Sequence, residues 1–286
     1  NRPQAGMVDA ASVAAHMAGK AMPPNALGSL QKWSEKMCLL QGTLSPSVKR
    51  GGLLVFVGDH GVALPREQGG EECSAFPSVV TPSVAKAMAA KGAAGAVLAN
   101  TMGMDVRVID VGMAVDVDVQ GLSVDKSTRG TKCFTVHEAM TVEECQRAMQ
   151  AGQRAVQALG DVDAVSLGEI GIGNTTPSAA LVAAFAEVPA EEACGRGTGL
   201  DESGVARKVE IVKRALALHQ QAVCRVGRRM REDSREEDAE AVLAAVGGLE
   251  IAAIVGAVKE AAARGIAVLV DGFIATAAVL VAIRAN

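Results

Sequence analysis

The nine residues Gly168–Thr176, GEIGIGNTT, follow the apolar run VDAVSL and gather one carboxylate, three glycines, an asparagine and two threonines. A tight turn needs one or two such residues, so the surplus points to a binding site. Glycines placed after a strand let backbone N–H groups turn toward an anion, and the start of a following helix adds partial positive charge. Asn174, Thr175 and Thr176 supply side-chain hydrogen bonds and a cap, and Pro177 suits the first turn of the helix that continues PSAALVAAF. An anion would repel Glu169, which leaves that carboxyl group free to accept a proton or hold a sugar hydroxyl. The plainer alternative is a helix cap beside an exposed glutamate, because glycine-rich loops are common.

A second segment, GRGTGLDESGVARK, covers 195–208 and repeats the pattern: a glycine turn, then a helix carrying Lys208. Glycine amides with a lysine beyond them suit a phosphate, as backbone donors plus a point charge; the alternative is a helix entry with a solvated lysine. Neither segment matches the P-loop or the dinucleotide fingerprint. The run VFVGDHGVA ends a strand with Asp59, His60 and Gly61. It reads as turn chemistry more than as an acid–base pair, for want of a nucleophile at suitable spacing. Asp110 in VIDVGM and Asp271 in LVDGF stand at strand ends, the edge where α/β sheets bind ligands.

The elements that must position these groups alternate along the chain. LLVFVG, VRVIDVG, VDAVSL and IAVLVD are short β-branched runs of the kind that form fully buried strands. Between them lie PSVAKAMAAKGAAGAVLANTMG, TVEECQRAMQAGQRAVQALG and SGVARKVEIVKRALALHQ, all with helical period. Thr141 and Glu144 make a capping box at the start of the second. Such alternation predicts an α/β fold with a mostly parallel sheet and helices on both faces. Before Gly51 the chain reads as two helices separated by MPPNA, so residues 1–50 are expected to form a small helical element. Residues 51–286 then form the large α/β domain. The densely charged stretch from Arg225 to Glu240 reads as a solvated loop or exposed helix start.

Composition narrows the function classes. At 286 residues the chain can bury a sizeable core, and its net charge of -4 gives no pull toward nucleic acid or anionic membrane. It has no Tyr, one Trp and five Phe, too few for base-stacking platforms. Six scattered cysteines without a C-x-x-C pair suit reduced thiols of a cytoplasm or organelle stroma, and neither they nor the four dispersed histidines show metal-ligand spacing. No secretion-signal pattern opens the sequence. The apolar run Ile266–Ile283 is divided by Asp271 and Gly272, which favours a strand, a turn and a buried helix over a membrane span.

Taken in order, PPNALGSL, GDHGV, SAFPSVVT, GAAGAVLA, VIDVGM, GEIGIGNTTPSAAL, GRGTGLDESGVARK, VGGLEIAAIVGA and VLVDGFIATAA resemble the nicotinate-nucleotide:dimethylbenzimidazole phosphoribosyltransferase family over nearly the whole chain. The resemblance implies transfer of the 5-phosphoribosyl group from nicotinate mononucleotide to 5,6-dimethylbenzimidazole, in the cobalamin pathway, with inversion at the anomeric carbon. It implies a Rossmann-like fold, a small helical domain built from both chain ends, a homodimer, and no metal or organic cofactor. By this analogy Gly171, Gly173, Asn174, Thr175, Thr176, Gly197, Thr198, Lys208, Asp271 and Gly272 hold phosphate and ribose, and Glu169 lies near the reacting groups. The segment SAFPSVVTPSVAKAM matches the base-binding region, which maps a flat slot to Phe76, Val84 and Met88; ordinary core is the alternative for all three.

Two departures stand out. Met22, Asn25 and Ala26 occupy positions where the family pattern has lysine before the prolines and Gly-Ser after them. The resemblance also places a catalytic glutamate in a glycine-rich segment beyond Asn286. The expectation is therefore an incomplete chain, the alternative being a homologue that binds benzimidazole or α-ribazole without turnover.

Overall fold

The computed structural model describes residues 8–23, 26–226 and 236–285. Asn25 and most of the charged stretch after Arg225 lie outside them. In chain order, α1 (Ala10–Ala18) and α2 (Ser29–Gln41) precede β1 (Gly51–Gly58). Helices α3 (Val80–Ala89) and α4 (Ala94–Thr101) lead to β2 (Asp105–Gly112) and a short β3 (Leu122–Val124). Helix α5 (Val142–Ala158) precedes β4 (Ala164–Ile170). A helical run follows: α6 (Thr175–Ala186), α7 (Ala190–Ala193), α8 (Glu202–Leu218), α9 (Gln220–Val226), α10 (Glu236–Val246) and α11 (Leu249–Ala263). Strand β5 (Ala267–Val270) and α12 (Phe273–Arg284) complete the set.

Among the described residues the strands form one parallel sheet in the order β3-β2-β1-β4-β5. Period-two alternation explains why β1 sits at its centre. Leu54 and Phe56 enter the main apolar core, while Val55 and Val57 enter a second cluster on the opposite face with Ala85 of α3 and Val108 of β2. A strand covered on both faces must be apolar throughout, as LLVFV is. The chain runs outward from β1 through β2 to β3, then returns to place β4 on the other side of β1. That reversal makes the carboxyl ends of β1 and β4 the topological switch point, where open α/β sheets bind ligands.

The capping box at α5 is present: Glu144 N–H donates to Thr141 Oγ1 at 3.1 Å, and Thr141 N–H donates to Glu144 Oε2 at 2.8 Å. The segment read as one helical stretch over 82–103 divides into α3 and α4, because Lys91 takes a left-handed φ of 58° ahead of Gly92. The apolar run Ile266–Ile283 divides into β5, a turn at Gly272 with φ 84°, and α12. No helix among the described residues is long and apolar enough to cross a membrane. Helices α1 and α2 pack on each other around Val13, Met17 and Cys38.

Helices α5 and α11 meet backbone to backbone. A Cβ on Gly152 would lie 1.8 Å from the Ala253 carbonyl oxygen, and one on Gly256 would lie 1.9 Å from that of Met149. Neither clash can be relieved by rotating a side chain. Gly152→Ala is therefore expected to destabilise the protein by about 1–3 kcal/mol, read as a lower denaturant midpoint at unchanged slope.

Candidate functional site

The turn that leaves β4 is built around glycine. Gly173 has φ 91°, and a Cβ there would sit 2.5 Å from that of Ala63, so no side chain fits. Asn174 N–H donates to the Gly171 carbonyl at 3.1 Å and Thr176 N–H to that of Gly173 at 3.0 Å, which closes the turn into the start of α6. Ile172 N–H donates to Thr81 Oγ1 at 3.2 Å and ties the turn to α3.

The second glycine segment folds onto the first. One cavity is lined by Gly171 to Thr175 from the first turn and by Thr198, Leu200 and Lys208 from the second, with Cys73 and Ser74 at its side. Gly197, at φ 53°, passes so close that a Cβ would stand 3.0 Å from Thr175 Oγ1 and 3.2 Å from Lys208 Nζ. Lys208 is 1% exposed; its ammonium donates to Thr175 Oγ1 at 3.0 Å and to the Gly195 carbonyl at 3.1 Å. Burial lowers its pKa. Among the described residues no carboxylate pairs with it. An ammonium held only by neutral oxygens is half of an ion pair, and an anionic group in the cavity would complete it.

Asn174 joins this cavity to a cluster of acids. Its side-chain N–H donates to Glu169 Oε2. Beneath the turn, His60 Nε2 lies 2.7 Å from Glu250 Oε1, and neither side chain has any solvent exposure. Burial, and then the Glu250 carboxylate, push the Glu169 carboxyl up to about 7. Burial opposes charge on the His60 ring, but Glu250, aided by Asp59 and Glu169, outweighs it and raises that pKa. Asp59 is likewise raised by burial, against the opposing donation from Ala114 N–H to Oδ2 at 2.8 Å. A carboxyl group poised near neutrality, one residue pair from an anion turn, can take up or release a proton during a reaction.

Sequence reasoning weighed Asp59 as the partner of His60, in an acid–base pair it ranked below turn chemistry, and did not single out Glu250 at all. The partner of His60 is Glu250, 190 residues away, and not its neighbour Asp59. A glutamate in the first turn of a helix is ordinary helix-dipole complementation, so the letters GGLEIAA carry little signal on their own.

The remaining candidate residues are more dispersed. Thr176 is fully buried and does not line the cavity. Asp271 and Gly272 stand exposed at the tip of β5 and do not line it either. Phe76 and Val84 present exposed apolar surface, while Met88 is half-buried against the second apolar cluster. Asp110 serves its own strand end: Oδ1 accepts from Gly112 and Met113 N–H groups, and Lys126 Nζ lies 3.0 Å from Oδ2.

A family model described as phosphoribosyltransferase matches residues 3–286. Over 266 residues the chain is 39% identical to the nicotinate-nucleotide–dimethylbenzimidazole phosphoribosyltransferase of Bradyrhizobium diazoefficiens, covering 92% of this chain and 71% of that one. It is also 39% identical to the protein of the same name from Geobacter sulfurreducens, over 96% of this chain and 74% of the relative. The crystal structure of CobT from Thermus thermophilus superposes with a TM-score of 0.83 at 35% identity, over 96% of this chain and 78% of that one.

Proposed function

We propose an activity from the premise that this chain belongs to the nicotinate-nucleotide–dimethylbenzimidazole phosphoribosyltransferase family. It transfers the 5-phosphoribosyl group of nicotinate mononucleotide to 5,6-dimethylbenzimidazole and releases nicotinate and α-ribazole 5′-phosphate. The observation that carries this reading is the convergence of two glycine turns on the buried Lys208, with Glu169 held by Asn174 at the rim.

In this reading the nucleotide phosphate completes the ion pair of Lys208 and takes the N–H groups of the turn before α6. The ribose lies toward Asn174 and Glu169, with Asp271 and Gly272 assigned to its outer side and the buried Thr176 to the support of the turn. One ring nitrogen of the benzimidazole forms a bond to the anomeric carbon as the bond to nicotinate breaks. The proton on the other ring nitrogen passes to a carboxylate base, which the family resemblance places beyond Asn286, and Glu169 is the catalytic carboxyl assigned beside the reacting groups. Phe76, Val84 and Met88 form the flat wall for the entering base. Residues 1–50 act as a helical unit beside the α/β domain; homodimeric assembly and a cytoplasmic or stromal setting belong to the same reading.

The test is direct. Incubation with nicotinate mononucleotide and dimethylbenzimidazole should yield α-ribazole phosphate and nicotinate in equal amounts. Saturable binding of either ligand without product would overturn the enzyme reading in favour of a binding protein.

A further inference from the structure

The chain from Leu64 to Phe76 is a strap folded back on itself. Gly70 N–H donates to the Pro65 carbonyl at 3.0 Å, Glu71 N–H to that of Val62 at 3.0 Å and Glu72 N–H to that of Leu64 at 3.2 Å. A Cβ on Gly70 would stand 1.9 Å from the Leu64 carbonyl oxygen, so the strap crosses itself backbone on backbone. Glu72 then takes a left-handed φ of 52°, a conformation that persists at a non-glycine residue only where the surroundings impose it. After that reversal Cys73 and Ser74 form one side of the anion cavity. The Cys73 sulfur packs so close to Gly173 that a Cβ there would approach it to 3.3 Å. Phe76 follows, its N–H donating to Ser74 Oγ at 3.3 Å.

One carboxyl oxygen joins this strap to α8, the helix that carries Lys208. Glu71 Oε1 lies 2.9 Å from Arg214 Nη2 of α8 and accepts from Thr135 Oγ1 at 2.8 Å. Burial opposes charge on Glu71, but Arg214 and Thr135 outweigh it and lower its pKa. Neither Glu71 nor Arg214 lines the cavity. We propose that Glu71 and Arg214 are positioning residues for both ligands: their ion pair clamps the strap to α8, fixing Cys73 and Ser74 opposite Lys208 and setting where Phe76 stands. This rests on the phosphoribosyl-transfer reading above, in which Phe76 walls the base. One strap serves the nucleotide cavity at Cys73 and the base at Phe76, so loosening it weakens both ligands together. Loss of Lys208, by contrast, falls on the nucleotide alone.

The experiment uses Glu71→Gln, which keeps an acceptor for Thr135 and removes the charge, and Arg214→Gln, which removes the other partner. Calorimetric titration of each folded variant should show about fivefold weaker binding of both nicotinate mononucleotide and dimethylbenzimidazole, the upper end for an ion pair with a half-exposed partner. The double variant should lose no more than either single one, because the two residues act as one pair. Arg214→Lys should recover most of the affinity, since a single ammonium can meet the single oxygen. Hydrogen exchange at the Glu71 and Glu72 amides should quicken in both glutamine variants while that of α5 stays as in wild type. Unchanged affinities, a loss confined to one ligand, losses that add in the double variant, or no recovery with lysine would each overturn the proposal. Should Glu71→Gln not fold, Arg214→Gln and its lysine counterpart decide alone. Wild type that binds neither ligand would instead defeat the transferase reading; the exchange rates then decide, and unchanged rates would overturn the clamp as well.

Discussion

Glu169→Gln is expected to lower kcat for α-ribazole phosphate formation by about 10²–10⁴-fold, the usual range for losing a positioned acid–base group beside the reacting atoms. KM for the nucleotide should change little, because the phosphate is held by Lys208 and the turn amides and not by this carboxyl. Glutamine keeps an acceptor for Asn174 Nδ2, so the turn should survive. Stability should not fall with activity, and the sign can be worked out. The folded protein raises Glu169 from 4.5 to about 7, so between those values the folded state holds a proton that the unfolded chain has released. Stability from this group accordingly declines as pH rises through that window, and above it an ionised carboxylate remains buried at a cost. Glutamine has no such decline. The melting temperature of the variant should therefore match or exceed wild type at pH 8 while its turnover collapses. A rate that stays unchanged would remove Glu169 from the reaction.

Lys208→Ala should raise Kd for nicotinate mononucleotide by about 30- to 1,000-fold, the range corresponding to roughly 2–4 kcal/mol for truncating one partner of a buried, hydrogen-bonded charge pair. Affinity for dimethylbenzimidazole should move by no more than about threefold, since the base has no negative charge to lose a partner. Lys208→Arg should rescue poorly. The ammonium is wedged between Thr175 Oγ1 and the Gly195 carbonyl with Gly197 against it, and a planar guanidinium does not fit that point. Isothermal titration with each ligand separately reads both numbers. Equal losses for the two ligands would mean that the lysine supports the fold instead of the phosphate.

The parts of this site that were legible in the sequence are those written locally. GEIGIGNTT announces its turn because glycine is needed wherever Cβ atoms cannot fit, and Gly173 meets that condition with φ 91° against Ala63. LLVFVG announces β1 because a central parallel strand is apolar on both faces. The three-residue β3 at the sheet edge left no such mark: Leu122–Ser123–Val124 is too short to show a period. The His60–Glu250 contact was invisible for a different reason. Nothing in either local sequence says that a turn histidine and a helix-start glutamate will be buried together across 190 residues. That fact belongs to the packing of α11 on the sheet. Asp59 shows the same limit from the other side: its carboxylate looked available to the adjacent histidine, but it is taken by the backbone of Ala114 on the β2 side.

The glycine seam between α5 and α11 sets bounds on how this enzyme could be engineered. Exchanging helical glycines for alanine is a standard route to thermostable variants, since it narrows the freedom of the unfolded chain. At Gly152 and Gly256 that route is closed, because the added methyl would meet a carbonyl oxygen. Splaying the helices to make room would also draw the first turn of α11 away from the sheet, and with it the carboxylate beside His60. Heat-adapted designs would have to seek their gains on exposed loops, because at this seam a single added methyl sets two helix backbones against each other.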